Sequence, residues 1–156
     1  MLKKIAIIVL VIFFSIQFIP VDTTNPVVDE TLTLQAPQEV MTLLKKSCYD
    51  CHSNETVWPF YSQIAPVSFF VAVHVEEARS AVNFSEWKFI DKETKTKRLQ
   101  RAIITVKNGM MALPSYLVGH EEAKLTKEEK KVLVTWFEDT LKEINEDSNA
   151  HIFQVR

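Results

Sequence analysis

The sequence predicts an all-α domain that follows an apolar N-terminal segment. Residues 92–108 place apolar side chains at helical spacing. The positions at i, i+3, i+4 and i+7 are Leu99, Ala102, Ile103 and Val106. A capping box from Thr126 to Glu129 precedes a second apolar stripe, at Leu133, Trp136, Phe137, Leu141 and Ile144. No stretch after residue 37 alternates apolar and polar residues as a half-buried strand does, so a sheet-based fold is excluded.

The first twenty residues form an apolar segment with a positive start. Lys3 and Lys4 precede an apolar run over residues 5–19, which Pro20 ends. This pattern is typical of an export signal or a membrane anchor. Because no A-x-A cleavage site follows, we expect an uncleaved transmembrane helix with the domain on the periplasmic, extracytoplasmic side of the cell membrane. The alternative is a cleaved signal peptide that releases the domain into the periplasm.

The remaining chain divides into three parts by composition. Residues 21–37 carry two prolines, three acidic residues and no basic residue, without sustained periodicity. This composition predicts an extended linker over 21–37. The folded domain is expected over 38–147, and a polar tail over 148–156. The signal or anchor segment occupies residues 1–20.

Four helices are expected within the domain. The expected spans are Gln38–Ser47, residues 67–82, residues 92–108 and a last helix that begins after Thr126. The second of these is apolar on most sides, as a helix buried in a small core would be. Long loops over 52–66 and 109–125 leave little regular structure for a core of this size. We therefore expect a non-protein group to fill part of the core.

Composition excludes several classes of protein. The chain has 156 residues, of which 47% are hydrophobic and 24% charged, so it builds a core and is not intrinsically disordered. Its net charge of −2 lacks the strongly basic character of a general nucleic-acid binder. Two glycines rule out a glycine-rich loop that cradles a nucleotide, and two cysteines rule out a disulfide-dense scaffold.

The pentapeptide CYDCH at residues 48–52 has the C-x-x-C-H spacing of c-type haem attachment. The thiols of Cys48 and Cys51 are spaced to add to the two vinyl groups on one edge of a porphyrin, which forms two thioethers. His52 follows at once and is the expected proximal ligand of the iron. These are the only cysteines of the chain, and export places them where haem c is attached. The motif predicts one covalent haem c.

Three other uses of the two cysteines are open. A redox-active disulfide of the thioredoxin type requires a βαβ context, which the sequence lacks. A zinc site requires further ligands at metal-binding spacing, whereas the other histidines are scattered at positions 74, 120 and 151. A plain structural disulfide is the third alternative.

Beyond the motif, the chain resembles the bacterial haem-binding domain family, whose members are short, exported or membrane-anchored, cytochrome c-like proteins. In the first half the resemblance lies in residues 51–61, 64–66, 83–87 and Ser68. In the second half it lies in residues 111–116, 123–126, His120 and Trp136. Residues 18–20 and 25–26 are similar to the family's leader. The resemblance implies a small cytochrome c-like helical domain around one haem, and it implies no named reaction.

The resemblance also bears on the distal ligand of the iron. In cytochromes c a distal methionine lies in the loop before the last helix, where this chain has Met110 and Met111. The family pattern of glycine, one residue, methionine and proline aligns Gly109 and Met111, although Ala112 stands in place of the proline. Met111 is therefore the expected distal ligand, because a neutral thioether stabilises ferrous iron.

Other residues compete with Met111 for the distal position. His74 shares a face of the helix over 67–82 with Phe70 and Ala78, so we expect it to point inward and to be the main rival. Met110 and His120 are further candidates, and a five-coordinate iron without a distal ligand is the remaining alternative. In the absence of ligation, the two methionines would simply fill gaps against the porphyrin.

Together these patterns predict an exported monohaem c-type cytochrome domain that carries electrons and is not an enzyme. Its expected partners are the membrane, through the N-terminal helix, and an unidentified redox protein, with no nucleic acid. The alternative is a haem enzyme of the peroxidase type, or a gas or redox sensor, with an open distal site. A thiol–disulfide exchanger without haem is the third hypothesis.

Overall fold

We describe the protein from a computed structural model, which defines the backbone of residues 1–154 and the side chains of residues 1–146. This part of the chain contains seven α-helices, three short 3₁₀-helices and no strand, which confirms the predicted all-α class. The α-helices are α1 (Leu2–Ile16), α2 (Gln38–Ser47), α3 (Tyr49–His52), α4 (Val67–Ala81), α5 (Lys92–Lys107), α6 (Pro114–Leu117) and α7 (Lys127–Gln154). The 3₁₀-helices are Phe60–Gln63, Phe84–Phe89 and Glu121–Ala123.

The hydrophobic core lies where α7 packs against α5 and α2. Its buried side chains on these helices are Val40, Leu43, Leu44, Leu99, Ile103, Val106, Leu133, Val134 and Phe137. The predicted stripe of α5 faces this core, as does the predicted apolar face of α7, so both sequence patterns are confirmed. Leu44 and Leu133 are fully enclosed. Helix α2 ends at Ser47, next to the cysteine motif, and Cys48 packs against this core.

The ends of the helices follow the predicted caps. The Thr126 hydroxyl accepts a bond of 3.1 Å from the Glu129 N–H, and the Glu129 carboxylate accepts one of 2.8 Å from the Thr126 N–H. This reciprocal pair confirms the capping box at the start of α7. Helix α5 ends at Lys107, and Gly109 follows with a φ of +67°, the left-handed conformation that only glycine adopts at little cost.

Helix α4 differs from its prediction. The predicted span is nearly correct, but only Ser68 and Val75 of this helix are buried. Three apolar side chains lie open to solvent: Val67 (44% exposed), Phe70 (53%) and Val73 (50%). The expectation of a helix buried on most sides was therefore wrong. The helix packs mainly on α3 and the 3₁₀-turn at Phe60–Gln63, which leaves one apolar face uncovered.

The N-terminal helix α1 has 15 residues, and none of its side chains is buried. Within residues 1–154, no helix is both long enough and apolar enough to cross a membrane. The expected transmembrane helix is therefore not supported. The physical reason is length, because α1 ends at Ile16 whereas a span needs about 20 apolar residues.

The segment expected as a linker runs extended along the domain and is bonded to it. Leu34 is buried in the core, and its N–H donates to the Phe84 carbonyl at 2.8 Å. The Asn25 side-chain oxygen accepts a bond of 2.8 Å from Arg79 Nη2 of α4. Residues 21–37 are thus fastened to the domain at two places and do not form a free tether.

Helix α7 continues past the expected end of the domain. The sequence placed this end at residue 147, whereas the helix runs through Gln154. The first seven residues of the tail expected over 148–156 are thus helical in their backbone. Residues 155 and 156 lie outside the described residues.

Candidate functional site

One helical turn carries the three residues of the predicted attachment motif. The Cys48 carbonyl accepts hydrogen bonds from the N–H groups of Cys51 (3.2 Å) and His52 (2.8 Å), which closes the short helix α3. Because residues i, i+3 and i+4 share a helix face, Cys48, Cys51 and His52 project to the same side. The structure therefore brings together the three side chains that the sequence predicted as a unit.

The His52 ring is held by two backbone carbonyls at the end of α4. Its Nδ1 lies 2.9 Å from the Ala78 oxygen and 3.1 Å from the Val82 oxygen. Since a carbonyl only accepts, Nδ1 carries the proton and the lone pair stays on Nε2. Burial lowers the pKa of His52 below its ordinary value of 6.5, against the opposing effect of the two carbonyl bonds. His52 is thus a neutral imidazole at neutral pH, the form that binds a metal.

The two cysteines are free thiols, and both are partly buried. Burial raises the pKa of Cys48 to about 12, and burial together with the Asp50 carboxylate raises the pKa of Cys51 to about 11. Thiol–disulfide exchange depends on a lowered thiol pKa, so this environment disfavours a thiol exchanger. In the part of the chain that the structure describes, no group of three or more histidine, cysteine or acidic side chains forms a metal cluster, which gives the zinc alternative no support.

Apolar side chains lie exposed in the two long loops and on the open face of α4. In the first loop and α4 they are Val57 (72% exposed), Phe60 (79%), Ile64 (42%), Val67 (44%), Phe70 (53%) and Val73 (50%). Around the second loop they are Met110 (46%) and Val118 (89%). Concentrations of exposed apolar side chains of this kind mark binding surfaces. The first group follows the cysteine motif directly in sequence, and the second lies in the loop that carries Met111 and the helix after it.

Residues 11–139 match the sequence model of a protein family that is described as the haem-binding domain. The match covers most of the chain, including the cysteine motif and helices α2 to α6. The chain belongs to the haem-binding domain family. No curated protein and no solved structure matches it. Haem binding is therefore the property that the family assigns to the chain.

The side chains of this haem-binding domain fit the group that the family implies. An imidazole with a free Nε2 is a common axial ligand of haem iron, and His52 offers one in the required tautomer. Two unpaired thiols lie on the same helix face. The exposed apolar side chains described above offer the kind of contact that a porphyrin ring needs.

Met111, the predicted distal ligand, lies in the loop between α5 and α6 and packs at the edge of the core. Its neighbour Met110 is 46% exposed. The structure thus places Met111 next to the core, and its pairing with His52 across a haem stays a prediction.

His74, the rival ligand, lies on the open face of α4. Its ring contacts the Phe70 ring with the centroids 4.0 Å apart and the planes tilted by 34°, and its Nδ1 lies 3.0 Å from the Phe70 carbonyl oxygen. The expectation that His74 points into the core was wrong, because α4 buries Ser68 and Val75 instead. Since Nδ1 is bound locally, Nε2 of His74 is the atom left for a ligand.

His120, a further candidate, has both ring nitrogens engaged. Its Nε2 lies 2.8 Å from the Tyr61 hydroxyl, and its Nδ1 lies 3.2 Å from a carboxylate oxygen of Glu122. The Tyr116 ring stacks on the imidazole at 4.2 Å, nearly parallel to it. Binding iron would require His120 to give up one of these bonds. Its observed role is to join the two long loops to each other.

Sequence reasoning missed two polar groups around the motif. The Tyr116 hydroxyl donates to Asp50 at 2.6 Å, so a residue inside the motif is bonded to α6. A buried polar cluster also lies next to His52. It consists of Ser53 and Asn54, which directly follow His52 in sequence, and of Asn83 and Ser85 from the segment after α4. The signal that was available is position: Asp50 stands inside the motif, and Asn83 belongs to a segment that carries the family resemblance.

Proposed function

We propose that this haem-binding domain is a monohaem c-type cytochrome domain that transfers electrons. One observation carries the proposal: a single helical turn presents Cys48, Cys51 and a His52 whose Nδ1 is fixed by two carbonyls. Two protonated, unpaired thiols beside a neutral imidazole are the groups that covalent attachment and proximal ligation require. The other uses of such a pair, disulfide exchange and zinc binding, lack support in the same geometry.

Each residue has a stated role in this proposal. Cys48 and Cys51 hold one edge of the porphyrin through thioether bonds, and His52 binds the iron through Nε2. Met111 is the proposed distal ligand, because its loop lies next to the core and its thioether is a soft, neutral donor. Haem iron, when bound, supplies a one-electron couple between its ferrous and ferric states. The fixed His52 ring keeps the proximal side unchanged between them.

We further propose that the domain works outside the cytoplasm with a redox protein as its partner. Support comes from helix α1, in which Lys3 and Lys4 in the first turn precede an apolar run, because this is the pattern of an export signal. Cell fractionation of the expressed full chain tests this location. Recovery of the haem-containing protein in the cytoplasm would contradict it.

Covalent attachment is tested with the full chain expressed beside a haem c maturation system. We expect the denatured wild-type protein to weigh one haem more than its polypeptide and to give the haemochrome spectrum of thioether-linked haem. The Cys48→Ser/Cys51→Ser double variant should lose this added mass entirely. The control is Ser47→Ala, which changes the residue next to the motif and should keep the added mass of the haem. A wild-type protein of bare polypeptide mass without Soret absorption would overturn the proposal.

A haem enzyme or sensor with an open distal site is the second candidate. The observation that favours it is the exposure of Met110, the neighbour of the predicted distal ligand, whose side chain is 46% exposed. We expect Met111→Ala to change the absorption spectrum of the oxidised protein and to let the reduced protein bind carbon monoxide. Met110→Ala is the matched control and should change neither. Wild-type protein that binds carbon monoxide as readily as Met111→Ala would favour the open site.

A further inference from the structure

We propose that Asn83 is a positioning residue for His52, which it fixes through a buried side-chain bond to Asn54. The inference rests on the proposed role of His52 as an iron ligand. It concerns the carbonyl groups that hold the imidazole and the reason that those carbonyls stay in place.

The carbonyls that hold His52 stand at the point where α4 unwinds. Ala78 lies in the last turn, and its oxygen also accepts the N–H of Val82 at 2.9 Å. Val82 has left the helix with extended backbone angles (φ −158°, ψ 130°), so helical bonding does not fix the direction of its carbonyl. That direction depends on the residues that follow Val82 in the chain. The first of them is Asn83.

Asn83 is tied both to the chain after it and to the chain after His52. Its Oδ1 accepts the N–H of Ser85 at 3.0 Å, and its Nδ2 donates to the side-chain oxygen of Asn54 at 2.7 Å. The Asn54 N–H in turn donates to the Ser85 hydroxyl at 3.0 Å. These bonds join the segment that directly follows His52 to the segment that directly follows the Val82 carbonyl.

The hydrogen bonds among Asn83, Asn54 and Ser85 are shielded from water, so they fix the relative position of the two segments. Asn83 is 7% exposed, Asn54 3% and Ser85 2%. A buried amide that loses its partner leaves the other group unsatisfied, so these side chains hold one arrangement. The segment after His52 and the segment after Val82 are therefore fixed relative to each other. This keeps the His52 imidazole in place against the Val82 carbonyl.

Weakening the bond between His52 and the Val82 carbonyl should change the reduction potential of the bound iron. A strong bond from Nδ1–H to a carbonyl raises the electron donation of Nε2, and such partners tune the metal that the ring binds. Greater donation stabilises ferric iron relative to ferrous iron. Loss of the Asn83–Asn54 bond should therefore weaken the His52–Val82 bond and shift the reduction potential to a higher value.

The test compares three variants of the full, haem-loaded protein with the wild type. Asn83→Ser keeps a hydroxyl to accept the Ser85 N–H but cannot reach Asn54, and Asn54→Ala removes the same bond from the other side. We expect each to raise the ratio of reduced to oxidised protein about tenfold at a fixed potential, as outer-shell substitutions do, which is about 59 mV for one electron. The double variant should show no more than Asn54→Ala alone, because both substitutions remove the Asn83–Asn54 bond and Asn54→Ala also removes a bond of 3.2 Å to Glu86.

A second readout observes the His52 bond itself. In the reduced protein, exchange of the His52 Nδ1–H with solvent, followed by NMR of histidine-labelled protein, should become about tenfold faster in both single variants, in step with the shift of the redox equilibrium. Ser62→Ala is the matched control: it removes a buried side-chain bond to the Pro59 carbonyl, and Ser62 bonds neither of the carbonyls that hold His52. The control should leave both the potential and the exchange rate unchanged.

The outcomes separate the inference from the function on which it rests. Haem-loaded single variants with wild-type potential and exchange rate would overturn the positioning role of Asn83 and leave the haem site intact. Additive shifts in the double variant, or an equal shift in Ser62→Ala, would also overturn it. If Asn83→Ser fails to fold, Asn54→Ala decides by the same measurements. A His52→Ala protein with the wild-type reduced spectrum would instead overturn the proposed ligation, and the inference with it.

Discussion

The two axial positions predicted from the sequence lie in regions of opposite construction. Around His52, polar groups are buried and bonded to one another: Ser53 has no exposed surface, and Asn54 is only 3% exposed. In the region that carries Met111, two apolar side chains are open to solvent, Met110 at 46% exposure and Val118 at 89%. Helix α6 in this second region has only four residues.

The two regions differ in how far the chain itself bonds or covers their side chains. A polar network whose partners are all protein groups is satisfied by the chain alone. Exposed apolar side chains are satisfied only when another surface covers them. We infer that the chain packs the proximal side by itself and leaves some apolar side chains of the distal loop uncovered. Substitutions of the buried side chains near His52 should therefore cost folding stability, whereas substitutions of the exposed apolar side chains in the distal loop should cost little.

The largest expected effect is that of Leu44→Ala. Leu44 has no exposed surface, and its carbonyl accepts the N–H of Cys48 at 2.8 Å, so it packs directly behind the motif. A cavity at such a position lowers the free energy of unfolding by about 2–5 kcal/mol. Urea unfolding of the haem-loaded protein, followed by far-UV circular dichroism, measures the change.

The matched substitution on the distal side is Val118→Ala. Because the Val118 side chain is 89% exposed, its removal should change the free energy of unfolding by no more than about 0.5 kcal/mol. A loss in Val118→Ala comparable to that in Leu44→Ala would mean that the distal loop is packed as tightly as the proximal side. The contrast between the two regions would then be wrong.

The sequence could predict the parts of this contrast that depend on local signals. The C-x-x-C-H spacing fits one helical turn, and the capping box and the stripe of α5 depend on residues within two turns of one another. The bond between Asn54 and Asn83 joins residues 29 apart and depends on how the end of α4 meets α3. No spacing rule reports such an angle. The open face of α4 was misjudged for a related reason, because apolar composition does not say what covers it.

A smaller effect is expected from Tyr116→Phe, which removes the bond that joins the distal helix α6 to Asp50 of the motif. Burial and this bond both raise the pKa of the Tyr116 phenol, so the hydroxyl stays protonated and donates at all physiological pH values. A bond to a partly exposed carboxylate should contribute about 1–2 kcal/mol to the free energy of unfolding. The same urea titration measures it.

Tyr61→Phe provides the comparison for that prediction. It removes a bond to the His120 imidazole, which joins the two loops without reaching the motif, and should cost about 1 kcal/mol or less. If Tyr61→Phe costs more than Tyr116→Phe, the two loops hold each other more firmly than the motif holds α6. The distal region would then be a unit of its own.

The smallest effect concerns Glu129, which ties α7 to α2 behind the proximal side. Bonds from Lys46 at 2.7 Å and from Thr126 lower the pKa of Glu129 below its ordinary value of 4.5. The unfolded chain therefore takes up this proton at a higher pH than the folded chain does. The stability that Glu129 contributes is present above pH 4.5 and is lost as the pH falls through the lowered pKa.

Glu129→Gln should lower the free energy of unfolding by less than about 1 kcal/mol at neutral pH. It should also flatten the acid limb, which is the fall in stability below pH 4.5. Urea titrations from pH 7 down to pH 3 measure both changes, with the exposed Glu93→Gln as the control. An acid limb as steep in Glu129→Gln as in the wild type would show that other carboxylates govern it.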